Sequence, residues 1–206
     1  MREPEILSPD TPAEELGFIS SLCRQTSLPW NVVSTLAMAG FSISVAILMY
    51  LLAMVEVADS GSYLILFMVH NVDLVFHEAG HWIFGVFGNR TLTILGGSLN
   101  QVLIPLIVAF AFWRQRDATG FAFGMFWMFE SLRDVSVYMA DARALELPLL
   151  GGGGEEVHDW RNLFIHWRVL NKDVIIAGYV RKVAWAGMVS TSLWLVWRWF
   201  KGKPDA

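Results

Sequence analysis

The sequence predicts an all-α protein, a multi-pass transmembrane helical bundle of about five spans. Three observations predict it. Hydrophobic residues make up 55% of the 206 positions and charged residues only 17%, where soluble domains run at about 25% charged. Mean hydropathy is +0.47, more apolar content than one small core absorbs. Apolar segments of helical length also recur along the chain, and several carry polar residues in their middles.

Composition excludes some partners and chemistries. A formal net charge of −4 gives no electrostatic footprint for nucleic acid. Cys23 is the single cysteine, so an intrachain disulfide and a multi-cysteine metal cluster are both excluded. The first 29 residues open acidic, with Glu3, Glu5, Asp10, Glu14 and Glu15, and they lack the early apolar core of a secretory signal. The first apolar span is therefore expected to stay as an anchor.

Three regions are expected. Residues 1–29 form an N-terminal tail, with a disordered start and an interfacial amphipathic helix over 12–25. Residues 30–200 form the transmembrane domain, and 201–206 a short C-terminal tail.

The first span is the uncharged run Asn31 to Val55, with Trp30 marking an interface. It is long enough to cross a hydrocarbon core of roughly 30 Å. The turn "EVADSGS" leads to a second span, Tyr63 to Phe87, which carries His70, Asn71, Asp73, His77, Glu78 and His81. A third, Leu95 to Trp113, contains Asn100, Gln101 and Pro105; a fourth, Gly120 to Ala140, contains Glu130, Arg133, Asp134 and Tyr138. After four consecutive glycines comes "HDW", where Asp159 is expected to cap a helix starting near Trp160. The last span, Val183 to Phe200, ends in aromatic and basic anchors; a start near Val174 would bring in Arg181 and Lys182. Alternation of five spans predicts that the N-terminus, the 88–96 loop and the 141–182 loop share one side of the membrane. Flanking charges pull in both directions, which leaves orientation open.

The second span holds the chemistry. His77-Glu78-Ala79-Gly80-His81 is an H-E-x-x-H pattern. On a helix, positions i and i+4 lie on one face, about 5–6 Å apart at Cβ. Two imidazoles at that spacing suit one Zn²⁺, with the glutamate placed to take a proton from a bound water. Zinc brings that water's pKa to about 7, giving a nucleophile for an amide or ester carbonyl. Ionisable groups within spans are costly and tend to be functional. The bland alternative is a polar patch that only joins helices.

A catalytic zinc takes three protein ligands and an open position. His158, Asp159 and Asp141 are the candidates for the third, with Asp134 behind them. Asp73, four residues before His77, is expected either to accept the second N–H of His77 or to pair with a neighbouring helix through Arg133. His70 is expected to be a hydrogen-bonded lining residue. Glu130, Asp134, Tyr138 and Asp141 share a face that must turn inward.

An H-E-x-x-H on a transmembrane helix, followed by a glycine-bearing connection and an asparagine, resembles the site-2 protease family of intramembrane zinc metalloproteases. The resemblance covers about residues 65–160 and suggests a divergent, small bacterial-type branch. "GGSLNQ" (Gly96 to Gln101) is similar to the family's G-P-x-x-N motif, with Gly97 where proline often stands and Asn100 matching the asparagine. The resemblance implies that Asn100 helps bind substrate or stabilise the oxyanion. It also implies a third ligand aspartate in an N-x-D-G-like motif, where this chain has "HDW" or "DAR" instead.

The expected function is cleavage of a membrane-embedded or juxtamembrane peptide by metal-activated water, with Glu78 as general base. The expected partners are the lipid bilayer and a membrane protein or lipid substrate, and the expected location is a bacterial-type cytoplasmic membrane. Hydrolysis of a lipid amide or ester, and non-catalytic metal binding, are the alternatives. Oligomeric state is not legible.

Overall fold

The computed structural model describes residues 18–55, 64–147 and 155–202. The protein is all-α, with seven α-helices and no strand among the described residues. They are α1 (Phe18–Ser27), α2 (Thr35–Val55), α3 (Leu64–Gly85), α4 (Arg90–Arg114), α5 (Ala118–Ala140), α6 (Asp159–His166) and α7 (Asp173–Lys201). Two of them, α2 and α4, are long and apolar enough by themselves to cross a membrane. The disordered start, the "EVADSGS" turn and the glycine run lie outside the described residues, and of the interfacial helix only α1 is described.

Polar side chains set the helix boundaries. Asn89 accepts the Leu92 N–H at 3.0 Å and starts α4. Asp117 accepts from Thr119 and Gly120 at 3.0 and 3.1 Å and starts α5. Each cap satisfies donors that the first helical turn leaves open. α7 begins at Asp173, earlier than the final span's expected core, and so takes in Arg181 and Lys182. Buried Asp173 is gripped by Arg143, whose Nε lies 2.8 Å from both carboxylate oxygens. That fork ties the start of α7 to the end of α5.

The helices of the bundle pack through glycines. A Cβ on Gly80 of α3 would lie 2.2 Å from the Gly96 carbonyl oxygen of α4. A Cβ on Gly124 of α5 would lie 2.6 Å from the Ala109 nitrogen of α4, and one on Gly187 of α7 would lie 2.2 Å from the Phe129 ring. Such close approaches maximise dispersion contact between helices, which is how helices associate where water is absent.

Contacts give each helix a direction. α4 runs antiparallel to α3, since Gly80 meets Gly96 while Asn100 reaches back to Phe76. α5 runs antiparallel to α4, since Gly120 meets Phe112 while Gly124 meets Ala109. The start of α2 packs with Ala118 and Leu195, and its end with Phe126 and Met188. α2 and α3 therefore run in the same sense as α5. Gln25 of α1 donates to the Arg114 carbonyl at 2.7 Å, and the Asn31 N–H to that of Arg116 at 2.9 Å. The segment before α2 thus sits at the α4–α5 turn, opposite the 88–90 turn. This corrects the expectation that the N-terminal segment shares a side with the 88–96 loop. The physical reason is α2, which lies on α5 and α7 and does not return antiparallel to α3.

Gly80→Ala should lower stability by about 1–3 kcal/mol, because the added methyl meets backbone rather than a movable side chain. Thermal unfolding of the purified protein in detergent checks this, and an unchanged Tm would contradict the close α3–α4 contact.

Candidate metal centre

α3 presents His77 and His81 on one face, as i, i+4 spacing requires. Their rings pack edge-on, 4.9 Å apart. Asp159, at the start of α6, reaches between them. Its Oδ2 lies 2.9 Å from His77 Nε2 and 3.2 Å from His81 Nε2. The three ligand atoms lie within 4.8 Å of one another. Among the described residues this is the one group of three or more His, Cys, Asp or Glu gathered this closely.

The far side of each ring is occupied. His81 Nδ1 lies 2.9 Å from the Thr93 carbonyl oxygen, which can only accept. His77 Nδ1 lies 3.2 Å from Gln101 Oε1. The Gln101 amide has its orientation fixed in turn, because its Nε2 donates to Asp134 Oδ2 at 3.0 Å. A carboxylate accepts and does not donate. The amide oxygen must then face His77, and His77 Nδ1 must carry the proton. As neutral rings both imidazoles present an Nε2 lone pair to the Asp159 oxygen; as an imidazolium, either one donates its Nε2–H to that carboxylate instead. In the neutral state the three atoms are converging acceptors, a set that suits a cation held between them.

The donor set fits zinc: two neutral imidazoles and one carboxylate, with outer partners that fix the tautomers. α4 supplies a cradle for it. A Cβ on Gly97 would stand 2.6 Å from His77 Nε2 and 2.7 Å from His81 Nε2. Gly97 therefore keeps open the space on which the ligand nitrogens converge.

Glu78 is exposed beside this group, within electrostatic reach of His81 and of the Tyr138 hydroxyl. Tyr138 accepts the Asp159 backbone N–H at 3.0 Å and lays its ring against His77 and His158.

His158 does not join the ligand group. It is fully buried and caps α6, its Nδ1 accepting the Arg161 N–H at 3.2 Å. Nε2 then carries the proton and donates to Asp141 Oδ2 at 3.3 Å. Burial holds the imidazole below its ordinary pKa, against the opposing pull of Asp141. Asp141 also accepts the Glu146 and Leu147 N–H groups. The expected cap and ligand are thus exchanged: His158 caps α6, and Asp159, one residue on, faces the histidines.

Of the two readings of Asp73, pairing with a neighbouring helix holds, through Trp127 and Ser131 in place of Arg133. Asp73 does not reach His77; it accepts from Trp127 Nε1 at 2.9 Å and Ser131 Oγ at 3.0 Å. One turn along α3 its carboxylate meets α5, and Gln101 of α4 takes the place beside His77. Asn100 Nδ2 donates to the Phe76 carbonyl at 2.7 Å, so this amide fastens α4 to α3. His70 lines the bundle as expected, 3.2 Å from Asp134. Gln101, Gly97 and the Thr93 carbonyl are the parts that sequence reasoning missed. A polar residue four positions from a glycine on an otherwise apolar helix was the available signal.

Comparison of the chain with protein-family models, with curated proteins and with solved structures gave no match.

Asp159→Ala should remove zinc binding as fully as His77→Ala or His81→Ala. His158→Asn, which keeps a capping side chain, should retain one zinc per chain. Gln101→Leu should weaken affinity about 10–100-fold. Competition against a fluorescent chelator measures all five. Retention of metal by Asp159→Ala, with loss in His158→Asn, would reverse the assignment of the third ligand.

Proposed function

We propose that this chain is a membrane-embedded zinc hydrolase of metalloprotease type, cutting a membrane-embedded or juxtamembrane peptide. The observation that carries the reading is the convergence of His77 Nε2, His81 Nε2 and Asp159 Oδ2, with both Nδ1 atoms already committed. Glu78 beside that group completes the constellation that metal-assisted hydrolysis needs. The resemblance to site-2 proteases rests on the same residues.

Embedding in a bilayer is supported by the outer surface. Leu36 is 85% exposed, Val86 85% and Trp82 83%. Polar groups such as Asp73, Glu130 and Ser131 are buried instead. Such an inverted pattern suits a hydrocarbon solvent. In this reading α3, α4, α5 and α7 cross in alternation, while α2 lies alongside α5 and α7.

His77, His81 and Asp159 would hold the ion, which would supply an acidified water and a polarised carbonyl. Glu78 takes a proton at its carboxylate and returns it to the leaving amine. Tyr138 holds the Asp159 backbone, and with it the carboxylate, in place. Asn100 serves the helix pair. His81 lies four residues before the end of α3, about 6 Å along the helix axis. The site is therefore shallow, at a depth that a juxtamembrane peptide reaches without unwinding far. That depth also admits the ester or amide of a lipid, which is the second reading.

Glu78→Gln should keep zinc and lose hydrolysis by at least about a hundredfold. The inactive variant should also retain its uncut substrate through purification. Mass spectrometry of the retained molecule separates peptide from lipid. A Glu78→Gln protein as active as the parent would remove the catalytic reading altogether.

A further inference from the structure

The end of the bundle opposite the metal centre is built differently. It gathers the α4–α5 turn, the approach to α2 and the last turn of α7, where a Cβ on Gly202 would lie 3.6 Å from Val32. Arg116 sits there in a left-handed backbone conformation, φ 57°. Its buried guanidinium donates to the Leu28 and Pro29 carbonyls and lies 4.3 Å over the Trp30 ring. Burial, and the like charge of Arg198 nearby, draw Arg116 below its ordinary pKa. Arg198 has a buried Nε with no hydrogen-bond partner. Arg114 and Lys201 stand exposed at the same end. Asp117 is the one carboxylate at this end among the described residues, and it is committed to the start of α5. Arg116 is already held by two carbonyls and the Trp30 ring, which leaves Arg198 and Lys201 as the cations at this end to meet an anion.

A groove opens beside this end, where Val32 in its lining meets the end of α7. It runs between α2 and the α4–α5 pair, with a volume of about 740 Å³, within the usual range of small-molecule sites. Its mouth holds Ser34, Asp117 and Thr119, and its depth holds Phe41, Val45 and Phe126. A Cβ on Gly40 would meet nothing within 4 Å, so the groove is open along α2. Trp197 and Phe200, 49% and 59% exposed, flank the cationic end as interfacial aromatics do.

We propose that this end binds an anionic phospholipid, its phosphodiester headgroup beside Arg198 and Lys201 and an acyl chain in the groove along α2. A free phosphate would use the cations but leave the apolar groove without purpose; a neutral lipid would leave Arg198 unmatched. The inference rests on the membrane reading and is independent of hydrolysis at the metal centre.

The test is native mass spectrometry of the detergent-purified protein, titrated separately with palmitoyl-oleoyl phosphatidylglycerol and phosphatidylcholine. The parent should favour phosphatidylglycerol about tenfold. The double variant Arg198→Gln, Lys201→Gln should bind both lipids alike, and Gly40→Leu should weaken both. Equal binding by the parent, or a preference that survives the double variant, overturns the proposal. So does displacement of the lipid by millimolar inorganic phosphate, which would mark a free-anion site. Carbonate extraction of cell membranes is run alongside. Release of the protein there removes the membrane reading itself, whereas retention with no lipid preference removes only this site.

Discussion

The backbone contact between α3 and α4 sets everything around the metal centre. Gly80 rests on the Gly96 carbonyl, and Gly97 lies directly under the two Nε2 atoms. Any side chain at either place forces the helices apart, and the ligands move with them. The contact also sets register. Thr93, Gly97 and Gln101 follow one another at i, i+4 and i+8 on a single face of α4. Because the pair is antiparallel, that face offers Thr93 to His81 and Gln101 to His77. One close approach thus aligns the histidines and fixes what stands behind each of them.

What stands behind them decides their chemistry. An imidazole held by an acceptor at Nδ1 has its lone pair at Nε2, and the choice is made outside the ligand set. For His77 the decision begins at Asp134 on α5, passes through the Gln101 amide on α4 and ends at the ring on α3. Three helices are therefore committed to the state of one nitrogen. The same run continues outward to His70, which is more than half exposed. The polar stripe inside an apolar protein is in this sense a single connected system.

The helical class, the bounds of α3 and α5, and the two histidines were legible because each rests on local sequence, whereas α4 begins at Arg90, so most of the expected 88–96 loop is helix. The identity of the third donor was not legible. His158 is the better metal ligand by residue type, but both its nitrogens are used in capping α6 and bonding Asp141. That exchange depends on how the start of α6 meets α5, which no periodicity encodes. Asp73 misled for a related reason. Its spacing from His77 is right, yet Trp127 and Ser131 come to it from α5, and partners across helices cannot be read from one helix. The direction of α2 was hidden too, since hydropathy gives the length of an apolar helix and not its sense.

The placement of Asp159 on a helix of eight residues needs explanation, because so short a helix does not hold itself. α6 is instead pinned from three sides. Trp160 Nε1 donates to buried Ser98 of α4 at 3.1 Å, Tyr138 of α5 takes the Asp159 N–H, and His158 bonds Asp141 beyond α5. These anchors hold a carboxylate opposite two imidazoles where few other charges are near. On the proposed reading Asp159 and Glu78 bring two carboxylates to one end of α3, and histidines kept neutral as ligands do not offset them. In the proposed centre a divalent cation on the three donors brings the local sum to zero. Charge in lipid is tolerated when it is balanced within a few ångströms, and on the proposed reading that balance would let H-E-x-x-H sit in so apolar a helix.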